Sequence, residues 1–288
     1  MSNYVIYTDS ACDIKPELLR EWGVYYKPLT LRFTDSEEEF KNDEINAYDF
    51  YQRMRAGGVA KTAAVNSEAF REGFREVLEG GNDLLYLGFS SGLSTTYNSA
   101  RIAANDLKEE FPDRKIEVVD TLSASAGFGL LLYLVLEKKN AGATIEEAKA
   151  YAEELVPKLC HWFTVDDLVY LKRGGRISPL AASVGNMLGI KPVLHMDDEG
   201  HLINRAKVRG RKTAISALAD KYGELADDKS TGTVFISEAD CLEDAKLLEK
   251  MLQERYGASV KIITDVGPVI GAHAGPGTLA LFFVGKNR

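Results

Sequence analysis

Short β-branched or aromatic runs alternate along this chain with longer stretches in which apolar residues return at helical spacing. Residues 4–8 (Tyr-Val-Ile-Tyr-Thr) form the first such run and end in the polar pair Asp9-Ser10, the signature of a strand entering a loop. Asp13 is positioned to cap a helix with Pro16 in its first turn, Leu18, Leu19 and Trp22 on its apolar side, and Gly23 at its end. Residues 24–31 read as a second strand, and the acidic residues 35–39 as a solvated turn or edge. Phe70, Phe74, Val77 and Leu78 fall at i, i+4, i+7 and i+8, which predicts an amphipathic helix stopped by Gly80-Gly81.

A strand over 83–88 follows, then a hydroxyl-rich loop, then a helix from Thr95 or Thr96 to Glu110 with Tyr97, Ile102 and Leu107 inside. Residues 116–119 give a further strand, and the uncharged segment 121–136, interrupted by Ser123, Ser125, Gly127 and Gly129, reads as a buried helix too short to span a bilayer. Thr144 and Glu147 form a capping box for a helix running to Leu155. Beyond about residue 160 glycine and basic residues enter, with β runs at 193–196, 201–208, 233–237, 260–264 and 279–284 around a helix over 242–256. The pattern predicts an α/β protein in two parts: residues 1–160 as a wound parallel sheet and residues 161–288 as a mixed α/β domain.

The chain has 288 residues, a hydrophobic content of 45% and a charged content of 27%, as expected of a folded globular protein. Its net charge of −8 argues against nucleic acid as a partner. Cys12, Cys160 and Cys241 are too far apart, and too few, for a disulfide framework or a zinc site, so a reduced, cytoplasmic setting with no metal is expected; the first residues lack the basic and apolar regions of a secretory signal. Neither GxxxxGK[ST] nor a strand-GxGxxG-helix pattern is present, so no nucleotide cofactor is expected.

Gly88-Phe89-Ser90-Ser91-Gly92 matches the G-x-S-x-G elbow of serine hydrolases, and His273 lies late in the chain, where such an enzyme would carry its base. A serine esterase or lipase using Ser90 and His273 is therefore one reading. The loop nevertheless holds Ser90, Ser91, Ser94, Thr95 and Thr96 together, and hydroxyls and amides between a strand end and a helix start also make an anion cradle. Ser94 can equally be a simple helix cap. The polar stretch 61–67 and the Gly- and Pro-rich loop 267–277 around His273 are candidates to converge on the same place.

Thr8-Asp9-Ser10-x-Cys12-Asp13, Thr62, Ser90-Ser91-Gly92-Leu93-Ser94-x-Thr96-Tyr97, Leu171-Lys172-Arg173-Gly174-Gly175-Arg176-Ile177 and the run 267–277 resemble, in order and over nearly the whole chain, the motifs of the DegV family of bacterial fatty-acid-binding proteins. The resemblance implies a two-domain DegV-like α/β fold that holds one long-chain fatty acid in an internal tunnel between and beneath the two domains, has no catalysis of its own, and presents the carboxylate to a fatty acid kinase for conversion to an acyl phosphate. It places the carboxylate ligands on Thr62, Ser94 and His273. It also points to Arg209, with Arg173 and Arg176, as residues that dock the partner. Ala63, Ala64 and Thr95 depart from the family's usual Ser, Gln and Gly, which bears on the geometry at the tunnel head and on which acids are preferred.

Physical chemistry is compatible with that reading. Two hydroxyls and an imidazole N–H can satisfy a buried carboxylate, while each methylene buried contributes roughly 0.8 kcal/mol, so about sixteen carbons gain on the order of 10 kcal/mol before ordering costs. The small residues of the segment 121–136 serve either as a tunnel wall or as a close-packing face against a neighbouring element. Arg205, Lys207, Arg209, Arg211 and Lys212 form a cationic cluster suited to a docking partner or to transient contact with anionic lipid, or else a solvated strand face.

Overall fold

The computed structural model describes residues 3–178 and 189–288. In chain order the first half gives β1 (Tyr4–Asp9), α1 (Pro16–Glu21), β2 (Tyr25–Lys27), β3 (Thr30–Phe33), β4 (Glu39–Lys41), α2 (Ala47–Arg55), β5 (Ala60–Ala63), α3 (Ser67–Glu79), β6 (Asp83–Gly88), α4 (Thr96–Glu110), β7 (Ile116–Asp120), α5 (Ser125–Asn140) and α6 (Ile145–Leu155). The second gives β8 (Leu159–Thr164), α7 (Val169–Arg173), β9 (Ile190–Met196), β10 (Leu202–Arg209), α8 (Arg211–Leu225), β11 (Val234–Glu238), α9 (Leu242–Tyr256), β12 (Val260–Asp265), α10 (Pro268–Ala274) and β13 (Leu279–Val284).

The strands form a parallel sheet in the order β2-β1-β6-β7, a mixed sheet in the order β10-β9-β8-β13-β11-β12, and a small antiparallel sheet β4-β3-β5. The α/β class and the pairing of a parallel with a mixed sheet match the expectation. The small sheet was not anticipated: residues 24–31, read as one strand, split at Pro28, whose missing N–H and fixed φ end β2, and the chain resumes as β3 in a different sheet. Asp13 likewise does not cap α1. Lys15 occupies that position without a side-chain bond, and Pro16 begins the helix. Asp13 instead sits buried with φ at 51° and accepts the Ser125 hydroxyl at 2.6 Å.

The helix faces follow periodicity where the spacing is truly helical. Phe70, Phe74, Val77 and Leu78 on α3 are all buried, with Asn66 capping the helix through Ala69 N at 2.8 Å. On α4 the buried face is Ala100, Ala103, Ala104 and Leu107, whereas Ile102 is 49% exposed. Positions 97, 102 and 107 repeat every five residues, which turns each one away from the previous face. α5 is buried over most of its length, packs on β8, β11 and β13, and belongs to one apolar core that runs from Tyr4 to Phe282 across both halves of the chain. Gly129 lets α5 approach the Cys12 carbonyl and Ile14 closely. Among the described residues, no helix is long and apolar enough to cross a membrane.

Candidate functional site

A cavity of about 500 Å³ opens among β5, the loop after β6, the start of α5, one face of the mixed sheet, and α10. Its walls are mainly apolar, with Phe89, Leu93, Phe163, Met196, Val269 and Phe282 among them. Thr62, Ser94, Arg176 and His273 also line it.

Each of these side chains is held by a different device. Thr62 lies on β5, opposite Leu31 of β3, and so depends on the small sheet that the sequence pattern did not reveal. His273 lies on α10, which replaces the loop expected over 267–277: Pro268 pre-sets the first turn, and Val269 N donates to Asn42 Oδ1 at 2.8 Å. Tyr51 of α2 donates to the Val266 carbonyl at 2.5 Å, and its ring covers Gly271 so closely that a Cβ there would collide with it. The result sets His273 Nε2 2.8 Å from Thr62 Oγ1. The other ring nitrogen, Nδ1, is buried without a hydrogen-bond partner among the described residues. Burial, and then the neighbouring Arg176 charge, pull the His273 pKa down to about 4, so the imidazole is neutral near pH 7.

Ser94 stands one residue before the N-cap Thr95 of α4. Its Oγ accepts from Thr96 N at 3.2 Å at the head of α4, and lies 2.9 Å from Thr96 Oγ1, while the residue lines the cavity. Asp9, at the end of β1, sets where this loop leaves its strand. Its carboxylate accepts from Ala11 N, Phe89 N and Tyr86 Oη at 3.1, 3.0 and 2.7 Å, and burial raises its pKa to about 6 against the lowering effect of those bonds.

Arg176 departs from the expectation that grouped it with Arg173 and Arg209. Its guanidinium is half-buried against the cavity and donates from Nε to the Leu93 carbonyl at 3.1 Å and from Nη1 to the Gly174 carbonyl at 2.5 Å. Burial lowers its pKa, and no carboxylate pairs with it among the described residues. Gly174 in turn abuts the His273 ring, where a side chain would not fit. Leu93, Arg176, Gly174, His273 and Thr62 thus form a connected chain at one polar end of the cavity. Two arginines in one short motif offered no signal in the sequence to separate the inward one from the outward one. Arg173 is exposed, with its guanidinium 5.7 Å from the centroid of Tyr170, and Arg209 is exposed on the edge strand β10. Of the rest of the cationic cluster, Arg205 and Lys207 are exposed, and Arg211 pairs with Asp244 at 2.8 Å.

The G-x-S-x-G run has a packing explanation. Ser90 is fully buried; its hydroxyl donates to the Gly200 carbonyl at 3.0 Å and accepts from Gly92 N at 3.2 Å. A Cβ at Gly92 would fall 2.7 Å from the Glu199 carbonyl oxygen. Serine and glycine together seat the loop on the turn between β9 and β10. The Ser90 proton is therefore directed at a backbone carbonyl and not at a histidine.

Fold and site together define a class: an α/β protein whose parallel and mixed sheets line a mainly apolar cavity that holds a polar cluster of Thr62, His273 and Arg176. The chain belongs to the DegV family, because residues 3–286 match the family model described as "Uncharacterised protein, DegV family". It is 42% identical to a DegV domain-containing protein of Clostridium perfringens, covering 100% of this chain and 99% of that one. Among solved structures it is similar to a DegV lipid-binding protein from Thermotoga maritima (32% identity, TM-score 0.87, 99% of both chains). It is also similar to a stearic acid-binding protein from Eubacterium ventriosum (27% identity, TM-score 0.88, 98% of both chains).

Proposed function

We propose that this protein binds one long-chain fatty acid in the cavity, with the carboxylate at Thr62, Ser94 and His273 and the tail along the apolar wall. The observation that carries this is a mainly apolar cavity in which Thr62, His273 and Arg176 gather as a polar cluster. Arg176 strengthens it: a half-buried guanidinium lacking a carboxylate among the described residues is costly by itself and is completed by an anionic ligand. The stearic acid-binding relative supports the same ligand class.

The protein then acts as a cytoplasmic carrier without catalysis of its own. A fatty acid kinase supplies the chemistry: a carboxylate oxygen attacks the terminal phosphorus of ATP, the new O–P bond forms, and ADP leaves with the electrons of the broken bond. Arg173 and Arg209, both exposed, are the residues proposed to dock that partner. The esterase reading through Ser90 is disfavoured by the commitment of its proton to Gly200.

Native mass spectrometry of the purified protein tests the proposal. The expected result is a stoichiometric adduct of fatty-acid mass that is lost on denaturation and weakened in Ser94→Ala and His273→Ala. A protein that remains free of adduct after incubation with palmitic or stearic acid would refute it.

A further inference from the structure

β11 and β12 run parallel and end side by side at Glu238 and Asp265, which are strand partners. Ser237 lines the cavity of Thr62 and His273, and successive strand residues alternate, so Glu238 faces the opposite side of the sheet. There a second pocket of about 460 Å³ opens beyond the strand ends, between the first turns of α2 and α9. Carboxyl ends of parallel strands are where open α/β sheets take ligands. Tyr48 and Leu242, both exposed, give the pocket an apolar side, and the rest of its lining is rich in carboxylates.

Three of those carboxylates have a cation. Asp240 pairs with Arg55 at 2.6 Å, Asp244 with Arg211 at 2.8 Å, and Glu243 with Lys246 at 2.8 Å. Glu238 and Asp265 have none among the described residues. Glu238 is only 6% exposed. Its Oε2 accepts from Cys241 N at 2.5 Å, while Oε1 has no partner among the described residues and is open to the pocket. The Cys241 thiol is committed to the Thr278 carbonyl at 3.3 Å. Burial raises the Glu238 pKa against the lowering effect of the Cys241 amide, and the charges of Asp265 and Asp240 add to the rise. Like charges directly opposite on neighbouring strands repel, and a buried charge requires a partner. Positive charge brought by a ligand would relieve both.

We propose that this pocket binds a short aliphatic polyamine, with one ammonium group held by Glu238 and Asp265 and the methylene chain against Tyr48 and Leu242. An ammonium has three donors and can serve both carboxylates at once. The volume is that of a small-molecule site. A metal ion suits it less well, because the carboxylates do not close on one point. Among the described residues, the set of three such ligand atoms lying within 4.8 Å of one another is that of Asp197, Glu199 and His201, which lies outside this pocket. The site faces away from the cavity assigned to a fatty acid, so the proposal stands independently of that reading.

The test is isothermal titration calorimetry on the full-length chain at about 0.15 M salt, with spermidine and magnesium chloride as separate titrants. Spermidine is expected to saturate a single site and to bind more tightly than magnesium. Glu238→Gln, whose amide oxygen can still accept from Cys241 N, is expected to weaken spermidine binding about tenfold. Asp265→Asn is expected to do the same, and it carries the test should the first variant fail to fold by circular dichroism. Glu109→Gln removes the same charge from the exposed side of α4 and should bind spermidine as the unaltered protein does. Absence of saturable spermidine binding overturns the inference. An equal loss in Glu109→Gln overturns it as well, by showing general attraction to an acidic chain. Binding unchanged in both pocket variants puts the polyamine elsewhere, and magnesium binding more tightly than spermidine makes the pocket a metal site; either result refutes the proposal.

Discussion

The two large sheets contribute to the cavity in opposite ways. The parallel sheet β2-β1-β6-β7 contributes the end of a strand: the loop after β6, fixed by Asp9 at the end of β1, brings Ser94 and the head of α4 to the cavity. The mixed sheet contributes a face, with Phe163, Ala280 and Phe282 lying flat beneath α5. Carboxyl ends of parallel strands expose amides and hydroxyls that suit an anion, while the face of a strand exposes alternate side chains that suit a hydrocarbon. An amphiphilic ligand needs both, and a single sheet of either kind supplies mainly one.

The largest effect that breaks this comparison is expected from Asp9→Ala. It leaves the Tyr86 hydroxyl and the amides of Ala11 and Phe89 without their acceptor, at a cost of about 4 kcal/mol. Calorimetry should find Tm lowered by roughly 10 °C, with fatty-acid binding lost at temperatures where the variant is unfolded.

Thr62→Val sharpens the comparison more gently. It removes the hydroxyl bonded to His273 while keeping the β-branched shape that suits β5. Affinity for a fatty acid, by isothermal titration calorimetry, should fall about tenfold, equivalent to about 1.4 kcal/mol, with the fold intact by circular dichroism.

Arg209→Ala should have the smallest effect. The residue is exposed on β10, at the edge of the mixed sheet and away from the face that lines the cavity. Stability should stay within about 0.5 kcal/mol, and fatty-acid affinity should be unchanged in the same titration. A large loss of affinity would mean that the edge of the mixed sheet, and not only its face, shapes the ligand site.

Local patterning made most of the secondary structure legible. The helix α3 is a true helical stripe, α6 carries the capping box of Thr144 and Glu147, and the fully buried strand β6 is a short apolar run. The stretches that escaped are those whose partners lie far away in sequence. β5 reads as a polar linker because it is a short half-exposed strand completed only by β3. α10 reads as a loop because its glycines answer to Tyr51 and to the space beside it, not to local propensity. Thr62 and His273 could be named from the motifs they occupy, but the 2.8 Å contact between them spans 211 positions of chain.

By itself, the sequence determined the α/β class, the order of most elements, the apolar α5 and the candidate residues of the polar end, because these depend on periodicity, capping and motif over a few residues. The tertiary structure decided which way each polar group faces. It turned Arg176 into the cavity and left Arg173 outside, directed the Ser90 hydroxyl to the Gly200 carbonyl, and gave the Asp13 side chain to Ser125 instead of to the start of α1. Those outcomes depend on what stands opposite each side chain after distant segments have packed, and no run of neighbours along the chain specifies it.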